Sequence, residues 1–266
     1  MKKLDSFLSL TIIAITFVAF TSCKSTKNMQ QTPAKEDILQ TMRRTNQYFM
    51  DKWPDAGKAI FTNIERPSNI WTRAVYYEGL MALYAVDKNK TYYDYALQWG
   101  EKHQWGLRGG INTRNADNQC CAQTYIDLHI IDNKLNPERV KDITASIDLM
   151  KATPKIDDWN WIDALQMAMP VFVKLGNLYN DTSYFNRMYD MYAFTKTKHG
   201  GNGLYNAADR LWWRDKDFVP PYKEPNGEDC YWSRGNGWVF AALVRVLSEI
   251  PQNESHRSSS SHLSFL

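Results

Sequence analysis

The sequence predicts an all-α fold in which helices pair as repeated hairpins. Two observations carry this. From Glu36 onward apolar residues recur three and four apart, with few runs of strand-like alternation. Every second helix in the resulting order is introduced by a polar and aromatic cluster, and comparable points in those clusters, Arg73, Asn118, Asp163 and Asn236, lie 45, 45 and 73 residues apart. The last interval is lengthened by an insertion between Gly200 and Asp229. Alternating inner and outer helices place all four clusters on one rim of an α/α toroid with a single cleft; a helical solenoid is the alternative that repetition alone leaves open.

The chain begins with Lys2 and Lys3, an apolar run from Phe7 to Phe20 and then Thr21-Ser22-Cys23. That is the anatomy of a secretory signal, and a small residue before a Cys resembles a bacterial lipobox. Residues 1–23 are therefore expected to be a lipoprotein signal peptide ending at a lipidated Cys23, which tethers the chain to a membrane without spanning it. Residues 24–35, rich in Ser, Thr, Gln and Lys, read as a solvated linker. Without an acidic run after Cys23, the anchor is expected to face the periplasm of a bacterial cell envelope.

Helices are expected over 36–50, 70–86, 91–103, 119–131, 137–150, 161–179, 182–196 and 235–250. Asn136-Pro137 and Asp181-Thr182-Ser183 start two of them; Gly176 and Gly200-Gly201 read as stops or turns. The clusters Trp71-Thr72-Arg73, Asn115 to Gln119, Asp157 to Asp163 and Tyr231 to Trp238 introduce the inner helices.

Composition narrows the function. The net charge of +3 resides in the Lys-rich first 35 residues, which leaves the body close to neutral and excludes a basic nucleic-acid surface. Ten Trp and fifteen Tyr suit either a carbohydrate-facing cleft or a large helical core, and the clusters assign much of this excess to the rim. Cys120, Cys121 and Cys230 have no zinc spacing and read as free, buried thiols, with a bridge from Cys120 or Cys121 to Cys230 as the alternative. No Gly-rich phosphate loop, His-x-x-x-His pair or Gly-x-Ser-x-Gly elbow is present, so no metal or cofactor is expected. The rim offers carboxylates. Asp163, between Trp161 and the apolar stretch 164–172, has a setting that raises a carboxyl pKa and suits a general acid; Asp117, among Asn115 and Asn118, suits an ionised partner. On position alone either one is equally a helix cap.

Three segments together, Trp161-Ile162-Asp163-Ala164-Leu165-Gln166-Met167-Ala168-Met169-Pro170, Tyr231-Trp232-Ser233-Arg234-Gly235-Asn236-Gly237-Trp238 and Asn115-Ala116-Asp117-Asn118, closely resemble the unsaturated glucuronyl and rhamnogalacturonyl hydrolases, glycoside hydrolase families 88 and 105, with the pattern nearer to 105. The resemblance runs from about Ile38 to Ile250. It implies an (α/α)6 barrel that removes a 4,5-unsaturated uronic acid, galacturonyl rather than glucuronyl, from the non-reducing end of lyase-generated oligosaccharides such as those from pectin. It further implies hydration of the vinyl ether: the acid matching Asp163 protonates C4, water adds at C5, and the hemiketal collapses. Asp117 matches the second acid, Trp161 and Trp238 wall the sugar, Arg234 binds it or offsets its carboxylate, and Tyr76 matches a binding tyrosine.

Two departures temper the implication. Where family 105 often places a His, this chain has Asn206-Ala207-Ala208-Asp209. After Ile250 the family pattern continues with two further hairpins, whereas residues 251–266 form a Ser-rich tail without apolar period. Residues 36–250 are therefore expected to be a barrel truncated to about four hairpins, with the inner faces of its second and eighth helices unpartnered. Two functions follow from this: the hydrolase, or a defunct, non-catalytic glycan-binding lipoprotein of the same fold.

Overall fold

The computed structural model describes residues 32–61 and 63–259; the expected signal, Cys23 and most of the linker lie outside them. The chain divides into two compact units, Met1–Gln40 and Thr41–Leu266. The described part of the first is extended over residues 32–34 and helical from Lys35, with Ile38 N donating to Ala34 O at 3.1 Å. Among the described residues no helix is long and apolar enough to cross a membrane.

The elements are α1 (Lys35–Lys52), β1 (Ile60–Phe61), β2 (Glu65–Arg66), α2 (Trp71–Val86), α3 (Lys90–Lys102), α4 (Ala116–Gln119), α5 (Ala122–Ile131), α6 (Glu138–Lys151), α7 (Asp163–Tyr179), α8 (Thr182–Thr197), β3 (Tyr205–Asn206), β4 (Leu211–Trp212), α9 (Ser233–Glu249) and α10 (Ser255–Ser259). Asp181 caps α8 by accepting from Ser183 N at 2.9 Å, and Asn136 accepts from Glu138 N at 3.1 Å before α6. The helix expected over 119–131 is two. Cys120 and Cys121 keep helical dihedrals, but Gln123 N bonds Cys120 O three residues back, which tightens the turn between α4 and α5. Gly176 is not a stop: it lies inside α7 against the Phe185 ring, and the helix ends at left-handed Asn180.

Within the second unit, α2, α4, α5, α7 and α9 form an inner tier, where α4 and α5 touch α2 and α7, and α7 packs on α9. Outside it α3 backs α2 and α5, α6 backs α5, and α8 backs α7. The aromatic excess serves this packing more than the rim. Trp99 and Trp159 are fully buried, Trp105, Trp212 and Trp213 nearly so, and Tyr77 stacks on Trp99 at 3.9 Å.

A polar belt ties the inner helices together beneath the rim. Pro170, mid-α7, has no N–H for the carbonyl of Gln166, four residues earlier. Gln123 of α5 supplies the missing donor: its Nε2 reaches Gln166 O at 2.9 Å and Met167 O at 3.3 Å. Arg245 of α9 donates to Gln123 Oε1 at 3.0 Å and pairs with Glu78 of α2 at 2.8 Å. Glu78 also accepts from Gln166 Nε2 at 3.0 Å and Cys120 Sγ at 3.2 Å. So α2 and α9, expected to lack inner neighbours, meet through Glu78 and Arg245, although Phe240 (53% exposed) and Val244 (42%) remain open on α9. Residues 251–257 fold back: Arg257 donates to Leu247 O and Ile250 O, and His256 stacks on Tyr189 of α8.

Cys120, Cys121 and Cys230 are free, with Cys230 only part-buried.

Candidate active site

The N-termini of α2, α4, α7 and α9 carry the four clusters. At the start of α7, Asp163 is half-buried and its Oδ1 has no hydrogen-bond partner. Burial pushes its carboxyl up to about 6; Arg234 and Arg214 pull it down, and Asp117 repels it upward. Asp117, on α4, is likewise pushed up to about 6 by burial, against Arg66 and Arg108. The two acids expected to divide the chemistry thus feel each other, and both stay partly protonated near neutrality. The amide expected to hold Asp117 ionised is engaged elsewhere: Asn118 turns its Nδ2 to Thr113 Oγ1 at 3.0 Å.

The Arg234-to-Trp238 segment explains how α9 reaches Asp163. A Cβ on Gly235 would lie 2.6 Å from Ile162 Cδ1 and 2.8 Å from Trp232 Cε3, so only glycine lets the helix start settle beside Ile162-Asp163. Arg234, exposed, lies over the Trp232 ring at 4.3 Å. Asn236 holds β4 in a two-way clasp, accepting from Trp212 N at 2.8 Å and donating to Trp212 O at 2.9 Å. Trp238 is half-buried with its indole N–H unpartnered.

The 200–229 insertion supplies the opposite wall. It leaves α8 through Gly203 (φ 82°), where a Cβ would meet Lys196 O at 2.1 Å, and returns as β4 to lay Arg214 O on Ile162 N at 2.9 Å. Trp161, half-exposed, bridges Asp215 of the same segment. In place of the histidine of related patterns, Asn206 and Asp209 both bond Tyr231 Oη, at 2.6 and 2.7 Å.

Buried polar atoms without partners include one within the first two turns of each of α2, α4, α7 and α9: Thr72 Oγ1, Asn118 Oδ1, Asp163 Oδ1 and Trp238 Nε1. Such orphans at a rim are what a polar ligand satisfies.

Of the expected residues, Asp117 and Arg234 lie near enough to Asp163 to shift its carboxyl, and Trp161 stands two residues before it. Tyr76 goes elsewhere: its hydroxyl donates to Asn46 Oδ1 at 2.6 Å and its ring stacks on Phe49 of α1 at 3.3 Å. Arg73 also turns that way, lying 5.1 Å over Phe49 of α1 and 4.2 Å over Trp53 just past its end. Sequence reasoning missed Arg66, Arg108 and Arg214. Arg214 stands in the conspicuous Trp212-Trp213-Arg214-Asp215 run, whereas Arg66 and Arg108 are lone cations in loops with no periodicity to mark them. Among the described residues no group of His, Cys, Asp and Glu is arranged to hold a metal ion.

The model of Glycosyl Hydrolase Family 88 matches residues 41–263. The chain belongs to glycoside hydrolase family 88. An unsaturated 3S-rhamnoglycuronyl hydrolase from Formosa agariphila is 28% identical over 71% of this chain and 53% of its own length. A family 88 glycosyl hydrolase structure from Bacteroides vulgatus superposes with a TM-score of 0.74 at 27% identity, covering 85% of this chain and 65% of that one. A second structure, named a polysaccharide lyase, matches with TM-score 0.74 at 26% identity over 84% and 63%. The fold is thus the helical toroid of families 88 and 105, and the chain spans about half the length of the curated relatives it matches.

Proposed function

We propose that this family 88 chain carries the active site of a hydrolase that removes a 4,5-unsaturated uronic acid from the non-reducing end of oligosaccharides. The observation that carries the reading is the half-buried Asp163, raised to about 6, with Oδ1 unpartnered and Arg234 and Asp117 around it. A carboxyl that titrates near neutrality serves as acid and then as base within one turnover. Asp163 gives its proton to C4 of the vinyl ether, and positive charge develops at C5. Water adds there and loses a proton to the Asp163 carboxylate; Asp117 orients that water. The hemiketal opens and releases the second sugar as an alcohol. Arg234 faces the uronate carboxylate, and Trp161 and Trp238 wall the ring.

The assay is the ultraviolet absorbance of the conjugated vinyl ether. It disappears if the chain is a hydrolase, whereas a lyase makes it appear on intact polysaccharide. Asp163→Asn should reduce the loss about 10²–10⁴-fold, the range for removal of a general acid. Sugar binding with unchanged absorbance in the wild type would overturn the reading in favour of a non-catalytic glycan-binding protein. Galacturonyl preference is the finer version, tested by running the unsaturated galacturonyl and glucuronyl disaccharides side by side. Envelope anchoring through Cys23 predicts fatty-acid labelling that Cys23→Ser abolishes.

A further inference from the structure

Asp117 and Asp163 stand at the starts of different helices, and the second of these is reached through residues 152–162, a connection that contains no helix. Such a connection holds an acid in place only if something fastens it. The fastening comes from the other acid's side. Arg114, three residues before Asp117, reaches across to Asp158, five residues before Asp163. Its Nε donates to Asp158 Oδ1 at 2.8 Å and its Nη2 to Asp158 Oδ2 at 2.5 Å. Nη1 adds a bond to Thr153 Oγ1 at 3.2 Å, and Nη2 a second one to Lys155 O at 3.1 Å. One guanidinium on the α4 side thus grips the approach to α7 at Thr153, Lys155 and Asp158.

Both ends of this link are braced. Thr113, next to Arg114, has its carbonyl held by Ser146 Oγ of α6 at 2.8 Å and by Gln119 Nε2 of α4 at 3.3 Å. On the far side Arg187 of α8 donates to Thr153 O at 2.6 Å and to Lys155 O at 2.9 Å. Thr195 Oγ1, also of α8, donates to the carbonyl of fully buried Trp159 at 2.7 Å. A fork that meets both carboxylate oxygens fixes orientation as well as distance. The side chain of Asp158 is 5% exposed and that of Arg114 25%. An ion pair so enclosed contributes little net stability over apolar packing, and its best-attested use is to fix registration.

We infer that Arg114 and Asp158 are positioning residues: their fork sets the spacing between the starts of α4 and α7, and thereby holds Asp163 at C4 of the sugar while Asp117 holds the water at C5. This rests on the hydrolase reading and deepens it. Neither side chain touches the sugar; both act through the two acids. A displacement of about 1 Å between groups that must meet one substrate costs on the order of 10²-fold in rate, so a link of this kind is worth more to turnover than to folding.

Arg114→Lys and Asp158→Asn test this on an unsaturated disaccharide. The lysine keeps the charge and loses the fork; the asparagine keeps the shape and loses the charge. Each should lower kcat about tenfold or more with KM within about twofold, and the Arg114→Lys/Asp158→Asn double variant should be no slower than the slower single one, since both break one link. The alkaline limb of the pH profile separates positioning from mere support. Asp117 raises the Asp163 carboxyl, so acids released to stand farther apart should move that limb to lower pH. Ile143→Val, a trim of the buried face of α6, should lower the denaturation midpoint and leave the limb in place. A limb that stays at its wild-type position in both single variants, or losses that multiply in the double variant, would overturn the positioning role and leave the hydrolase reading standing. If the wild type turns over nothing, the hydrolase reading fails. The spacing is then read by carboxyl titration of protein labelled with carbon-13 at the aspartate carboxyls, with Asp163→Asn identifying the signal: a midpoint that falls in Arg114→Lys supports the link, and one that stays refutes it.

Discussion

Asp163 and Glu78 are both acids on inner helices, and burial raises both, yet their surroundings differ completely. Glu78 is 2% exposed in its side chain and has Arg245, Gln166 and Cys120 on its oxygens. Asp163 is half-exposed at the rim, with one oxygen bonded to nothing and its charged neighbours held at a distance. The helical scaffold thus satisfies the carboxyl it uses to fasten α2 to α9 and leaves one oxygen of the half-buried carboxyl at the start of α7 unsatisfied. Desolvation alone does not mark a reactive acid; desolvation without partners does.

Several substitutions would break or sharpen that contrast. The largest effect is on rate. On the proposed mechanism the protonated form of Asp163 is the reactive one, so kcat/KM should fall about tenfold per unit as pH rises beyond its pKa of about 6. Glu78→Gln should leave the position of that limb unchanged. Next in size is stability: Glu78→Ala strands Arg245 in a largely enclosed site and should cost about 3 kcal/mol in denaturant titration, the low end for breaking a buried pair since Arg245 is 34% exposed. Arg234→Ala removes a charge that lowers the Asp163 pKa, so the alkaline limb should move to higher pH. The smallest effect has a distinctive sign. The folded-state pKa of Asp163 is raised, so the stability tied to its protonation is fully present below about pH 4 and is lost as pH rises through about 6. Asp163→Asn should therefore unfold at higher denaturant than wild type at pH 7.5, by about 1 kcal/mol after allowance for solvent screening, and show no gain at pH 4.

Helix positions were legible because burial imposes a three-to-four spacing, and seven of the eight expected spans match single helices within two residues at each end. The break at Cys120–Cys121 was not, because the apolar pattern runs through it while the hydrogen bonding shortens. The paired strands at 60–66 and 205–212 have two residues each, too short for alternation to register. The nearness of Asp117 and Arg234 to Asp163 was legible through motifs that combine unusual residue types at close spacing. Tyr76 was misplaced because a tyrosine one turn into a helix looks the same whether it faces a cleft or, as here, Asn46 and Phe49. Arg66 and Arg108 gave no signal, since their proximity to Asp117 arises from a clasp, Asn69 Nδ2 to Gly106 O at 2.9 Å, between loops about forty residues apart.

Pro170 sits two turns below Asp163, and Gln123 fewer than two turns beyond Asp117. The bond from Gln123 to the carbonyl that Pro170 leaves vacant therefore works as an alignment key between two sliding rods. A slip of α7 by one turn would displace Asp163 by about 5.4 Å along the axis, but it would also leave the vacant carbonyl facing an apolar wall. The relative height of the two rim acids is thus indexed by a helix defect, and a residue that weakens α7 locally sets the registration of the site at its end.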